Sequence, residues 1–102
     1  MAVGDIQIFD GTFDNLQKAL DVATKRQAII AHNIANANTP GYEAMDFDEI
    51  LGKAVKRTEG GPVIIEKEMA AMSENSIKYS AYIKFLSSKI TVLRTIATQG
   101  RR

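Results

Sequence analysis

The chain has 102 residues, 45% of them hydrophobic and 25% charged, with one His, no Cys and no Trp. That composition excludes disulfides, thiolate chemistry, cysteine-ligated zinc and any site built from two histidines of one chain. Net charge is +1, but residues 1–51 carry −5 and residues 52–102 carry +6, so the halves are complementary within a chain or between neighbours.

The length predicts one small domain over 1–102. Met1 to Asp5 shows no basic stretch followed by an apolar one, so no cleaved secretory signal is expected. The longest apolar runs are four residues, such as Ala28 to Ala31, far short of the roughly 18–20 that cross a bilayer.

A first helix is predicted over about 12–37. Thr12 suits its N-cap, with Asn15 three residues on. Phe13, Leu16, Leu20, Ala23, Gln27, Ile30 and Ile34 are spaced alternately by 3 and 4, a heptad-like stripe interrupted only by Gln27. Pro40-Gly41 ends the pattern and suits the two central positions of a type II turn.

The middle, about 38–64, reads as a turn followed by an irregular segment. Phe47, Ile50, Leu51 and Val55 are placed for one short amphipathic turn or helix, and Lys56 to Pro62 for a surface loop. Val63-Ile64-Ile65 suits either an extended run or the opening of the next helix.

A second helix is predicted over about 65–99, its seam running Met69, Met72, Ser76, Tyr79, Ile83, Leu86, Ile90, Leu93 and Ala97. Tyr82, Phe85, Val92 and Ile96 form another stripe beside it. Two apolar stripes on one helix call for more than one packing partner. Glu66 and Glu68 suit the positive N-terminal end of its dipole. The fold class is thus all-α: two long helices paired as an antiparallel coiled-coil hairpin, joined by a short irregular middle.

No catalytic constellation stands out. His32 sits off the apolar stripe and reads as a surface or interface residue. Glu43, Asp46, Asp48 and Glu49 lack the spacing of a calcium loop and read as a solvated acidic face. Residues 75–102 hold six bases and no acid. At about 100° per residue these bases surround the helix instead of lining one face, which argues against nucleic acid. No metal, cofactor or small-molecule substrate is expected.

One stretch exceeds what a helix end needs: Asn33-Ile34-Ala35-Asn36-Ala37-Asn38-Thr39-Pro40-Gly41-Tyr42. Amides beside small residues weaken a helix but suit close approach with side-chain hydrogen bonds to a neighbour. This stretch resembles the N-terminal signature of the bacterial flagellar axial proteins, the rod, hook and related family. Leu20-Asp21-Val22, Arg26-Gln27, Asp46-Phe47 and Glu66-Lys67-Glu68-Met69-Ala70 resemble its proximal-rod subgroup. So do Asn75, Tyr79, Leu86, Lys89, Leu93-Arg94 and Ile96. Family members have a longer stretch between the helices.

The resemblance implies a non-enzymatic structural subunit of the basal-body rod, polymerising through both helices into the torque-transmitting shaft around an export channel. It implies a place in the rod across the periplasm, reached through the flagellar type III export apparatus without a cleaved signal. Implied partners are further copies, other rod subunits, the base at the MS-ring/rod junction and, during secretion, the export apparatus. The implied subunit interface is the signature: Asn33, Ile34, Asn36, Asn38, Thr39, Pro40, Gly41 and Tyr42. Helix packing falls to Leu16, Leu20, Ala23, Ile30, Met69, Met72, Tyr79, Ile83, Leu86, Ile90 and Leu93. A soluble helical-hairpin adaptor or export chaperone is the alternative that the two seams alone would equally allow.

Overall fold

The computed structural model describes residues 8–100. A π-helical turn, Ile8–Phe13, leads into α1 (Asp14–Ala35). Two short strands follow, β1 (Met45–Asp48) and β2 (Lys53–Lys56), and then α2 (Ile65–Gly100). The molecule is elongated, 66 × 24 × 15 Å. Its long dimension is set by α2, whose 36 residues span about 54 Å at ~1.5 Å each.

The helices lie side by side. Their polar contacts descend along α2 as they ascend along α1: Asn75 reaches Ala23, and Glu68 meets Asn33. The less exposed residues of α2 are Glu68, Ala71, Met72, Asn75, Ala81, Tyr82, Leu86, Lys89 and Leu93. This row lies beside the expected seam. It shares Met72, Leu86 and Leu93 with it, but takes Glu68, Asn75, Tyr82 and Lys89 where Met69, Ser76, Ile83 and Ile90 were expected.

Two expectations are corrected. The helix is not begun by a Thr12 cap: Phe13 holds the capping position with helical dihedrals (φ −64°, ψ −46°) and makes no side-chain cap, because the chain arrives already coiled. Nor is the fold all-α with an irregular or helical middle. Met45–Asp48 and Lys53–Lys56 pair antiparallel, with Met45 opposite Lys56, Asp46 opposite Val55, Phe47 opposite Ala54 and Asp48 opposite Lys53. The turn chemistry is local. The Asp48 carboxylate accepts from the Ile50 and Leu51 N–H groups (2.9 and 3.0 Å), and the Asp48 carbonyl from Gly52 N–H (2.7 Å). Gly52 supplies the left-handed residue, φ +68°, that closes the loop.

Glu43, Asp46 and Glu49 of the acidic cluster are exposed, as expected, and each is also paired. Glu43 pairs with Lys56 (3.3 Å), Asp46 with Arg57 (2.9 Å), and Glu49 with Arg26 of α1. Asp48 serves the turn. Lys25 adds a cation–π contact, its ammonium 5.8 Å from the centre of the Phe47 ring. The hairpin is thereby strapped along α1.

Burial is inverted relative to an ordinary core. Among the described residues, only Ala23 and Ala44 are buried hydrophobics, whereas Asn33, Glu68 and Asn75 are buried polar residues. Meanwhile Met69, Ile77, Tyr79, Ile83, Phe85, Ile90, Val92 and Ile96 of α2 are exposed. A chain of this size is marginal alone, and here its apolar surface is largely on the outside.

Candidate interaction site

A polar clasp forms where α1, the hairpin and α2 converge. Asn33 lies at its centre, with no exposed surface. Its amide Nδ2 donates to the Met45 carbonyl (2.9 Å) and, at the long end of hydrogen-bond range, to Glu68 Oε2 (3.5 Å). Its Oδ1 accepts from the Tyr42 hydroxyl (2.7 Å) and from the Met45 N–H (2.9 Å). All four hydrogen-bonding positions of one side-chain amide are thus used. Asn33 meets both backbone groups of Met45 as a neighbouring strand would, which a carboxylate could not do. That is why a poor helix former occupies a buried helical position.

Glu68 closes the clasp from α2. Its other oxygen, Oε1, accepts from Arg57 Nη1 (2.7 Å), and Arg57 Nε donates to Asp46 (2.9 Å). The Arg57 N–H also donates to the Ala44 carbonyl (3.0 Å). Burial together with the facing Glu68 carboxylate pushes the Tyr42 phenol above its ordinary pKa, with Arg57 opposing. The hydrogen bond to Glu68 raises the Arg57 pKa further, so its positive charge is permanent.

The rest of the signature terminates α1. Asn36 donates through its side-chain amide to the His32 carbonyl (2.9 Å), which also accepts the Asn36 N–H (3.1 Å). Thr39 donates its hydroxyl to Asn36 Oδ1 (3.2 Å). The Tyr42 N–H then closes onto the Thr39 carbonyl (3.1 Å), with Gly41 at φ +79°. These are the features of the type II turn expected around Pro40-Gly41. Asn38, Thr39, Pro40 and Gly41 are exposed, Ile34, Asn36 and Tyr42 are half-buried, and Asn33 faces wholly inward. His32 is exposed on α1 with its ring edge-to-face against Tyr42, centroids 5.5 Å apart.

Of the expected packing residues, Ala23 is buried, and Leu16, Leu20, Ile30, Met72, Leu86 and Leu93 are half-buried. Met69, Tyr79, Ile83 and Ile90 lie on the exposed side. A second polar contact sits midway along the helices: Asn75 Nδ2 donates to the Ala23 carbonyl and to Gln27 Oε1 (both 2.8 Å), and Gln27 donates to Ser76 (3.2 Å). Sequence reasoning passed over Arg57 as a loop residue and Asn75 as one member of a resemblance, and placed Glu68 at the helix dipole. The available signal was the 4-then-3 spacing of Glu68, Met72 and Asn75, which puts two polar residues in one seam.

Among the described residues, no three His, Asp or Glu side chains stand where they could hold a metal ion. No described helix is long and apolar enough to cross a membrane. The site is a structural node that fixes the signature turn and hairpin relative to both helices.

Comparison with known proteins gives the node a context. A family model described as flagella basal body rod protein matches residues 13–42, which cover α1 and the signature. Flagellar basal body rod protein FlgB of Salmonella typhimurium is 59% identical over 125 aligned positions, covering 82% of this chain and 91% of the relative. FlgB of Bacillus subtilis is 28% identical over 129 positions (94% of this chain, 100% of the relative). FlgB of Proteus mirabilis is 26% identical over 132 (89% and 96%). These alignments are longer than the chain itself, so the relatives carry residues that it lacks. On the breadth of the Salmonella match, the chain belongs to the family of flagellar basal body rod proteins FlgB.

Proposed function

We propose that this chain is a structural, non-catalytic subunit of the flagellar rod that assembles through the outward apolar rows of its long helices. The observation that carries the reading is the inverted burial. Asn33, Glu68 and Asn75 are buried at the helix–helix junction, while Met69, Ile77, Ile83, Ile90 and the Phe85–Val92–Ile96 row face outward. Such a surface is a liability for a free monomer and an asset for a subunit packed on several sides.

The two helices act as one antiparallel, coiled-coil-like unit in the wall of a tube around an export channel. Repetition of a head-to-tail contact between such units builds a helical assembly and not a closed ring. Torque then passes through many parallel seams. Asn38, Thr39, Pro40 and Gly41, the exposed part of the signature, meet the neighbouring subunit, while Asn33 holds that turn in shape from within. The subunit reaches the periplasmic rod through the type III export apparatus, without a cleaved signal, and sits among other rod proteins above the membrane-ring base. The relatives favour this role over a free-standing helical-hairpin adaptor.

Detergent-washed, intact basal bodies from the source bacterium provide the test. Mass spectrometry should recover the chain in constant ratio to the other rod proteins. Its absence from complete basal bodies, in cells that plainly express it, would overturn the assignment.

A further inference from the structure

We propose that the hairpin tip of one copy, Asp48-Glu49-Ile50-Leu51, seats in the groove between α1 and α2 on the distal half of the next copy. This rests on the rod-subunit reading and names the contact through which copies join.

The tip is built as a plug. Ile50 is 96% exposed and Leu51 59% exposed, at the end of a hairpin whose root is fixed by the Asn33 clasp. Two aliphatic side chains are therefore held out by a rigid base, with two carboxylates, Asp48 and Glu49, immediately before them. Asp48 already organises the turn, so the tip presents Ile50 and Leu51 without rearrangement.

The groove has the complementary character. It is lined by Thr12 and Leu16 on one side and by Phe85, Ser88, Lys89 and Val92 on the other, with a volume of about 410 Å³. Its lining is apolar apart from Lys89 and hydroxyls. Lys89 is the one charged residue of that lining. The aliphatic tip is therefore matched to the groove in polarity, and its acidic flank is matched in charge to Lys89.

The occupant is a second copy because the chain's own tip stays elsewhere. Glu49 is held by Arg26, and ten residues of α1, about 15 Å of helix, separate Arg26 from Leu16. Ile50 in its own subunit touches almost nothing. Plug and groove are different patches at different heights, so their union is heterologous and repeats without closing.

The absence of cysteine makes the test clean. Ile50→Cys and Val92→Cys chains, one isotope-labelled, are co-expressed and assembled into basal bodies, then treated with a short bis-maleimide. The expected product is a labelled-to-unlabelled link between positions 50 and 92. Lys89→Glu in the Val92→Cys chain should reduce its yield about tenfold. Basal bodies containing both variants but no such link overturn the docking while leaving the rod reading intact. Links from position 50 to position 50, or to a different rod protein, also overturn it. Failure of the unmodified chain to enter basal bodies defeats the rod reading instead.

Discussion

Asn33 of the first helix and Glu68 of the second meet at 3.5 Å with 0% and 2% of their surfaces exposed, the two most deeply buried side chains among the described residues. Their meeting is the reason the hairpin, the signature turn and both helices share one geometry. Met45 and Tyr42 hang from Asn33, Arg57 hangs from Glu68, and Asp46 hangs from Arg57. A polar node this closed is sensitive to the loss of any one member.

Glu68→Ala should therefore destabilise the subunit strongly. It leaves Arg57, itself only 26% exposed at the side chain, without its closest carboxylate and removes one acceptor from Asn33. Breaking such a pair from one side costs about 3 kcal/mol. Replacing both partners, as in Glu68→Met with Arg57→Met, should recover much of that loss, because the one charge left unpaired, Asp46, is exposed to water. Urea unfolding midpoints of the two variants against the parent give the comparison. Equal losses in both variants would show that packing, not charge pairing, sets the cost.

Asn33→Asp tests the amide itself. The change keeps volume but loses the donor to the Met45 carbonyl and places a carboxylate against Glu68. Loss of a buried hydrogen bond plus like-charge repulsion should cost about 2–4 kcal/mol at neutral pH. The loss should shrink as pH falls and the new carboxylate gains a proton, because a protonated acid again donates. A pH-independent loss would assign the damage to shape alone.

Tyr42 gives the fold an alkaline limit. Its phenol is held above the ordinary 10.0 by burial and by Glu68. Below pH 10.0 it is protonated in folded and unfolded chains alike, and its full contribution is present. As pH rises past that value the unfolded chain ionises first, so stability falls until the folded pKa is passed. Tyr42→Phe should cost about 1 kcal/mol at neutral pH and flatten this part of the alkaline slope. The difference between parent and variant unfolding free energies from pH 8 to 11 isolates the effect from the lysines.

Both helices are legible in the sequence because long apolar periodicity survives a change of partner: a seam spaced by 3 and 4 coils whatever face it finally buries. The buried face is harder to read. Met69-Met72-Ser76 and Glu68-Met72-Asn75 obey the same spacing, and hydrophobicity favours the first row while the structure buries the second. The hairpin is hidden for a different reason. Four-residue strands offer only two apolar positions each, and Phe47 and Val55 do not distinguish a strand from a helical turn. Its decisive signals are polar: the Asp48 side chain over the turn, and Arg57 reaching from the strand end to a helix eleven residues on. The Pro40-Gly41 turn is readable because those two residues carry their backbone preferences with them.

Gly41 separates backbone strain from packing. Its φ is +79°, and a Cβ added there would meet nothing within 4 Å. Gly41→Val should therefore cost about 1–2 kcal/mol through conformation alone, distorting the turn that carries the exposed signature. Rod assembly, read as the yield of complete basal bodies, should fall more than for Lys84→Ala. Similar yields in both strains would remove the turn from the assembly mechanism.

The outward row on α2 makes the sharpest separation between subunit and assembly. Ile77 is 71% exposed, so Ile77→Ser removes little buried surface, and the two residues have similar helix propensity. The isolated chain should keep its unfolding free energy to within about 0.5 kcal/mol. If a neighbour covers this row in the rod, the same change removes an apolar contact from every repeat, and small losses accumulate along the shaft. Rods should then be shorter or rarer, with swimming reduced, at unchanged subunit levels in the cell. An unstable isolated variant would mean that Ile77 packs within the subunit. A stable variant with full-length rods would place this face of α2 toward solvent in the assembly and leave Met69, Ile83 and Ile90 as the row that neighbours bury.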